Sequence, residues 1–455
     1  MADCHPIPTD PALPGLSEFL SSPFVPAFVV KMAERVAAEE IDVHSGEISY
    51  LRFRPTRDCV ALWSFSSPSG RPVFVSGKLF RDEDATSIVR KPSFRRLAKG
   101  LRILAGDRTE LYEYLADRRV LLQAFPLDFE IAGLRLDAAQ DSATHFASAL
   151  GVPAGNVHVL ESTPVSYKAW HRCVIRYTLE LEGRTTIYFA KFFRDDRGLA
   201  MLARIRGIQS SLGAGDSPWV IPTPLTYVAA ERMLVLKELD GAVEVSAMFR
   251  DASVDPSLVR TLRRWFAVAA EGLSALREAT VEGLPLVTPK SLLEGLNLKR
   301  KGLDQVAPDL ARRTGLVLRE LEVEAGRLPP EKMAVAHGAF RHTQMLTCGE
   351  RLGLIDFDGL RISGASADPG EFLAYLDRII ARRPRLARIA RECEAAFLGG
   401  LEWQRLDHRW LDWYRAAARL KHGLRCFFSL APRWPQTVEA LLTSAEQTLG
   451  GRRGC

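Results

Sequence analysis

The sequence predicts an α+β protein in which an antiparallel strand unit, used twice, precedes a mostly helical unit. Three observations lead there: an internal repeat at a fixed offset, strand-like alternation in the first half, and three- and four-residue apolar spacing in the second. The 455 residues allow about three domains, taking roughly 150 residues for each. Apolar residues make up 47% and charged residues 25%, which excludes a disordered, fibrous or disulfide-scaffold chain.

The elements follow in order. Residues 1–25 read as an irregular lead-in and 27–39 as a short helix. Strand-like runs at 50–54, 60–65 and 73–80, with the turn Ser67-Pro68-Ser69-Gly70 between the last two, predict an antiparallel meander. A helical stretch and then a strand at 118–125 complete this unit. The unit then recurs. RFRPTRDCV (52–60) answers SYKAWHRCV (166–174), SGKLFRDE (76–83) answers FAKFFRDD (189–196), and ADRRVLL (116–122) answers AERMLVL (230–236). The offsets are 114 from Cys59 to Cys173, 113 from Lys78 to Lys191, and 114 from Leu121 to Val235. Three blocks that keep one offset to within a residue read as a duplication. Between the copies, 136–150 has helical spacing and stops at Gly151-Val152-Pro153. After the second copy, Leu258, Leu262, Trp265, Phe266, Ala269, Leu273 and Leu276 mark one face of a helix, and 308–327 and 371–449 continue in that style. Residues 335–359 read as loop and short strands.

Charge and cysteine usage exclude more than they assign. A net charge of +6 is too small and dispersed for a nucleic-acid binder. Arg outnumbers Lys by 49 to 12, which a GC-rich genome accounts for. The runs Lys299-Arg300-Lys301 and Arg382-Arg383-Pro384-Arg385 read as solvated faces, and Trp410, Trp413 and Tyr414 as packing residues. The seven cysteines form no C-x-x-C pair, so neither a zinc site nor a disulfide framework is indicated. The first 15 residues hold no apolar signal region and no run of 18 apolar residues occurs, so a cytoplasmic protein without a membrane span is expected.

The chemistry concentrates at 333–376. The apolar run 352–355 predicts a short buried strand that delivers Asp356 and Asp358 at its end. Two carboxylates two residues apart in a strand point the same way, and oxygen ligands of this kind suit Mg²⁺.

This segment resembles the aminoglycoside phosphotransferase and choline kinase-like family, whose catalytic loop H-G-D-x-x-x-x-N is followed downstream by I-D-F/W-D. Here His337-Gly338 opens the loop, Gln344 stands at the Asn place, and Ile355-Asp356-Phe357-Asp358-Gly359 is the second motif. Asp368 matches the downstream Asp that braces the loop His. The resemblance spans about 163–455. It implies a two-lobed protein kinase-like fold, with an antiparallel small lobe and a helical large lobe, preceded by a duplicated small-lobe-like domain. The expected division is lead-in 1–40, small-lobe-like repeat 41–135, linker helix 136–160, small lobe 161–248, and large lobe with a catalytic-loop remnant 249–455. The resemblance further implies ATP or GTP and Mg²⁺ as cofactors. Lys191 would contact the α/β-phosphates, and Glu238 and Leu239 would meet the base through backbone groups. Gln344, Asp356 and Asp358 would hold the metal, with His337, Arg341 and Asp368 in the catalytic group. The partners implied are a nucleotide and a small-molecule hydroxyl acceptor, or a protein; no nucleic acid and no membrane is expected.

The chain departs from the family pattern where the chemistry is. The general base, third in the loop, is Ala339. A methyl group accepts no proton, so His342 comes into question as a replacement base, against the plainer reading of an exposed loop residue. The stretch 199–212 after Lys191 holds no Glu to pair with it. The turn within 166–173, expected to cover the phosphates, has no Gly, which hinders close backbone approach. Two readings result: a phosphotransferase with weakened or altered transfer, or a pseudokinase serving as a nucleotide-responsive or scaffold protein.

Overall fold

The computed structural model describes residues 6–20, 25–37, 40–68, 70, 72–81, 90, 111–134, 142–212 and 219–450. The helical stretch expected after residue 80 and the first half of the linker helix lie outside these residues. The chain forms two compact units, one of residues 1–200, 224–237 and 428–430, the other of residues 201–223, 238–427 and 431–455.

The first unit contains two five-stranded antiparallel sheets of the same topology. One consists of β1 (Glu47–Arg54), β2 (Asp58–Ser66), β3 (Pro72–Phe80), β4 (Tyr112–Leu115) and β5 (Val120–Ala124), in the order β1-β2-β3-β5-β4. The other consists of β6 (Val157–Lys168), β7 (Arg172–Leu181), β8 (Arg184–Phe193), β10 (Pro224–Val228) and β11 (Met233–Lys237), in the order β6-β7-β8-β11-β10. The duplication extends to backbone detail. Thr56 and Trp170, 114 apart, both turn with positive φ. Arg119 and Arg232, 113 apart, do so after a matching 3₁₀ turn, and each guanidinium returns to a carbonyl, of Arg81 and Arg194 respectively. In register, Val60 faces Lys78 while Val174 faces Lys191, so the second hairpin is one residue shorter. Lys78 also faces Leu121, and Lys191 faces Leu234. Leu121 therefore corresponds to Leu234, not Val235, and the last offset is 113.

The apolar patterns of the two copies differ because their burial differs. β2 is buried along nearly its whole length and reads as a continuous apolar run. On one side Trp63 meets Phe19 edge-on at 5.4 Å; on the other Val60 and Leu62 enter the core shared with the second sheet. The lead-in is therefore more ordered than its composition suggests: α1 (Leu16–Phe19) buries Leu16 and Phe19, and α2 (Ala27–Ala37) buries Val29 and Met32. β7 alternates instead, sending Cys173, Ile175, Tyr177 and Leu179 into that core. Phe146 of α3 (Ser142–Leu150) closes it, 4.8 Å from Tyr177.

α4 (Arg197–Leu212) and the short β9 (Trp219–Val220) lead on from the second sheet, and β12 (Val243–Glu244) follows β11. The helices after β12 are α5 (Val245–Asp251), α6 (Ser257–Glu278), α7 (Pro289–Lys301), α8 (Pro308–Ala325), α9 (Ala367–Arg382), α10 (Ala387–Gly399), α11 (His408–Phe428) and α12 (Trp434–Gly450). The apolar face read on α6 is buried from Val259 to Leu276. Trp413 of α11 is fully buried and gives its indole N–H to the Leu321 carbonyl. Between α8 and α9 lie β13 (Met333–Ala336), β14 (Met345–Cys348), β15 (Arg351–Leu354) and β16 (Arg361–Gly364). β13 pairs with β16, and β14 and β15 form a hairpin. Among the described residues no helix is long and apolar enough to cross a membrane.

One buried carboxylate ties the two copies together. Asp128, 1% exposed, accepts hydrogen bonds from the Tyr167 hydroxyl at 2.9 Å and the Trp170 amide at 2.8 Å, as well as from the nearby Glu130 and Ile131 amides. Burial pushes its pKa up to about 6 against the pull of those donors. Asp128→Ala is expected to cost about 2–4 kcal/mol in urea unfolding, because buried donors lose their acceptor. The raised pKa means that folding favours the protonated acid. Its contribution is complete below pH ~4, the unfolded value, and is lost as pH rises through about 6. Asp128→Asn should remove that part of the pH dependence.

Candidate functional site

The site is built from the loop that joins β13 to β14. β13 is a short, mostly buried strand paired with β16, so Ala336 sits opposite Arg361 and the chain leaves the ladder at His337. Asp368, in the first turn of α9, takes the next two amides: its carboxylate accepts from His337 N at 2.5 Å and from Gly338 N at 2.8 Å. The expected brace for the His is thus a brace for its backbone. Gly338 turns with φ 80°, and a side chain there would run into the Gly359 carbonyl. Glycine is required for both reasons.

The ring of His337 faces inward. It is fully buried, and its Nε2 lies 3.2 Å from the Ile355 carbonyl. The Ile355 amide in turn donates to the Gln344 carbonyl at 3.1 Å. The peptide just before Asp356 is therefore held from both ends of the loop. Burial lowers the His337 pKa, with Asp368 and Asp356 opposing, so the ring is neutral near pH 7.

Along the loop, burial alternates. His337, Phe340, His342 and Gln344 are buried, while Ala339, Arg341 and Thr343 keep solvent access. Phe340 stacks near Trp219 at 5.8 Å and meets Phe372 at 5.2 Å. His342 is not an exposed loop residue. Its ring packs 5.1 Å from Phe249 and 5.3 Å from Tyr375. Burial, then the charges of Arg341, Arg378 and Arg383, lower its pKa to about 3, which makes it a weak base at neutral pH.

β15 does not continue to the two carboxylates. β15 stops at Leu354, Asp356 adopts a left-handed conformation (φ 70°, ψ 56°), and Asp358 belongs to the 3₁₀ turn Phe357–Gly359. The two carboxylates therefore do not share a strand face. The partner of Asp356 comes from the loop: Gln344 Nε2 donates to its Oδ2 at 3.2 Å. Gln344 is 2% exposed, and its Oε1 accepts no hydrogen bond. A non-glycine residue in this conformation is costly, though Asp tolerates it better than most, and here the bonds on both sides impose it.

His337, Arg341, Gln344, Asp356, Asp358 and Asp368 thus gather around one loop. Leu239 is buried, and its carbonyl is taken by the Ala242 amide at 3.1 Å; Glu238 precedes it, half-buried. Lys191 belongs to the first unit, where it is 6% exposed in β8 with its ammonium 5.6 Å from the Phe193 ring. The turn expected to cover phosphates is occupied from within that unit. Trp170 is buried, with the Lys78 ammonium 4.5 Å over its ring and Asp128 on its amide. Asp128 carries no motif and lies outside the repeat blocks; its only sequence signal is an acid set in an apolar stretch, Phe125 to Ile131.

Gly338→Ala is expected to lower the thermal midpoint, at a cost of about 1–3 kcal/mol or more, since both the positive φ and the contact with Gly359 oppose it. The buried histidines set an acid limit on this unit. His342 and His422 have pKa values lowered to about 3, so their contribution is complete above pH ~6.5, the unfolded value, and declines as pH falls toward 3. Urea midpoints measured at stepwise lower pH should fall, and His342→Phe should flatten the slope.

No protein-family model matches the chain, and no curated protein matches it. Solved structures of similar fold are found at low identity. A choline/ethanolamine kinase family protein from Mesorhizobium loti is 15% identical, over 68% of this chain and 94% of that one, with a TM-score of 0.43. A choline kinase from Cryptosporidium parvum is 9% identical, over 69% and 95%, with a TM-score of 0.48. An aminoglycoside phosphotransferase is 12% identical, over 70% and 99%, with a TM-score of 0.47. The chain is thus similar, at TM-scores below 0.5, to solved choline kinase and aminoglycoside phosphotransferase structures.

Proposed function

We propose that the chain is a nucleotide-binding, kinase-like phosphotransferase that acts on a small hydroxylated molecule, with transfer weakened by Ala339. The observation that carries this reading is the Gln344–Asp356 pair, set on a loop whose first two amides are fixed by Asp368. The pair suits a hard cation. A half-turn of the Gln344 amide brings its unsatisfied Oε1 beside the Asp356 carboxylate, giving two oxygen donors of the kind Mg²⁺ takes. Among the described residues no group of three or more His, Cys, Asp or Glu is placed to hold a metal. A cation here would draw its remaining ligands from nucleotide phosphates and water, as Mg²⁺ commonly does, and Asp358, in the next turn, is the second carboxylate we assign to that role. When bound, it would neutralise charge on the transferring phosphoryl group.

The remaining roles belong to the chain's own residues. Lys191 neutralises phosphate charge, the backbone at Glu238 and Leu239 meets the base of ATP or GTP, and Arg341 supplies positive charge on the accessible side of the loop. His337 stays neutral and orients the peptide before Asp356. No side chain at 339 takes the acceptor's proton, and His342 is too weak a base and too enclosed by aromatic rings to replace it. General acid–base help is worth typically about 10²–10⁴-fold, so transfer slows by that order without being abolished.

Ala339 also favours a second reading, a pseudokinase that binds nucleotide or a protein partner without transfer, with the strand unit of 41–135 as its docking part. One set of measurements separates them. Calorimetry is expected to show ATP binding with Mg²⁺ and a loss of about tenfold or more in Lys191→Ala, the scale of a lost charged hydrogen bond. Single-turnover assays with labelled ATP and a metabolite panel should show slow transfer, raised about 10²–10⁴-fold in Ala339→Asp. Tight binding with no transfer in either form favours the pseudokinase. Absence of nucleotide binding removes both ATP readings and leaves a scaffold.

A further inference from the structure

We propose that the first unit carries a ligand site of its own, for an α-amino acid with a branched or aromatic side chain, in a cavity between the lead-in helices and the first sheet. The proposal is independent of the phosphotransferase reading and involves no residue of the helical unit.

The two copies are covered differently at matching places. Leu79 faces Val120 as Phe192 faces Met233, so Leu79 and Phe192 correspond, 113 residues apart. In the second copy the cover is tight. Gly133, in the 3₁₀ turn Ala132–Leu134, packs so closely that a side chain there would run into the Glu231 carbonyl and the Phe192 ring. In the first copy α1 and α2 supply the cover, and it is loose. A side chain at Gly15, where α1 begins, would meet Leu79 at 3.7 Å. Beside Gly15 and Leu79 lies a cavity of about 180 Å³. The cavity is therefore a property of the first copy and not of the strand unit.

Its lining divides in two. Phe19, Phe28 and Leu79 supply apolar surface, with Phe19 and Leu79 buried. Glu18, Asp117, Arg118 and Arg119 supply charge, and all four are exposed, so the charges stand at the mouth. A cavity of about 150 Å³ lined by Leu, Ile and Phe admits benzene, whereas drug-sized ligands need roughly 300 Å³ or more. The volume here thus suits one side chain the size of Leu or Phe. The mouth holds two carboxylates and two guanidiniums. A ligand with a single charge leaves half of them unmatched; a zwitterion matches both signs.

Arg118 joins the two parts. Its guanidinium carbon lies 5.5 Å from the centroid of the Phe28 ring, it pairs with Glu18, and its Nε is 3.6 Å from Asp117. Arg119 is held beside it by the bond from its Nη1 to the Arg81 carbonyl at 2.8 Å. Ion pairs this exposed stabilise little. Glu18 and Arg118 can therefore exchange each other for a ligand's ammonium and carboxylate, the carboxylate matching the guanidinium fork. In the second copy Ala230 and Glu231 stand at the places of Asp117 and Arg118, and Glu231 is buried, so these charges are not part of the repeat.

The test is calorimetry on the full chain without nucleotide, titrating leucine, phenylalanine and glycine. Isoamylamine and 4-methylpentanoate, which keep the leucine side chain with one charge each, complete the series. Leucine or phenylalanine is expected to bind about tenfold or more tightly than glycine, the scale of one buried apolar side chain, and by a similar factor more tightly than either singly charged ligand. Arg118→Gln and Phe28→Ala should each weaken binding by about tenfold. Gly15→Leu, which fills the cavity, should abolish binding while the thermal midpoint holds, since Leu79 leaves the new side chain room. If Gly15→Leu does not fold, Arg118→Gln and Phe28→Ala make the same test. Failure of both leucine and phenylalanine to bind, equal binding of glycine or of a singly charged ligand, or undiminished binding in these variants would each overturn the proposal.

Discussion

The geometry of the loop depends on one carboxylate. Asp368 accepts two consecutive amides at the point where the chain leaves β13, and this fixes the direction in which the following residues run. With the start of the loop set, His337 turns inward to the Ile355 carbonyl and Gln344 returns to the Ile355 amide and the Asp356 side chain. A charged acceptor on two amides is a stronger tie than two neutral bonds. Its position in the first turn of α9 also suits a negative charge. The left-handed backbone of Asp356 and the positive φ of Gly338 are both imposed from this point, since neither conformation persists unless its surroundings over-determine it.

The duplicated sheets show what the same unit becomes under different burial. Lys78 and Lys191 stand at matching register positions, each near the ring two residues on, at 4.6 Å from Phe80 and 5.6 Å from Phe193. Lys78 is engaged within the first unit: it lies over Trp170, 3.9 Å from Asp58, and burial lowers its pKa with Asp58 opposing. The first copy spends its Lys, and the acid at 128, on packing against the second. That packing holds the one tight turn, Ala169 to His171, whose sequence lacks the glycine a phosphate-covering loop would use.

The sequence made legible what is periodic or local. The antiparallel meander, the duplication and the apolar face of α6 follow from spacing, and the placing of 337–344 before Asp356 follows from the family resemblance. Three things did not. The offset of the last repeat block was misplaced by a residue because Leu121, Leu234 and Val235 are interchangeable as apolar letters, and only register separates them. Asp356 and Asp358 looked like strand neighbours because a strand and a left-handed exit carry the same short apolar lead. The burial of His342 depends on Phe249 and Tyr375, which lie far from it in sequence. Asp128 belongs to the same class, since its partners Tyr167 and Trp170 sit about forty residues away and no local pattern reports them.

Ala339 and the basic side chains beside the loop are best understood through one charge balance. An Asp at 339 would place a negative group two residues from Arg341, on the accessible side of the loop. Such a group suits a cationic or neutral acceptor and repels an anionic one. With a methyl group there, Arg341 lies with Arg378 on the Tyr375 ring. Asp368, Gln344 and Asp356 keep their hydrogen bonds with a methyl group at 339.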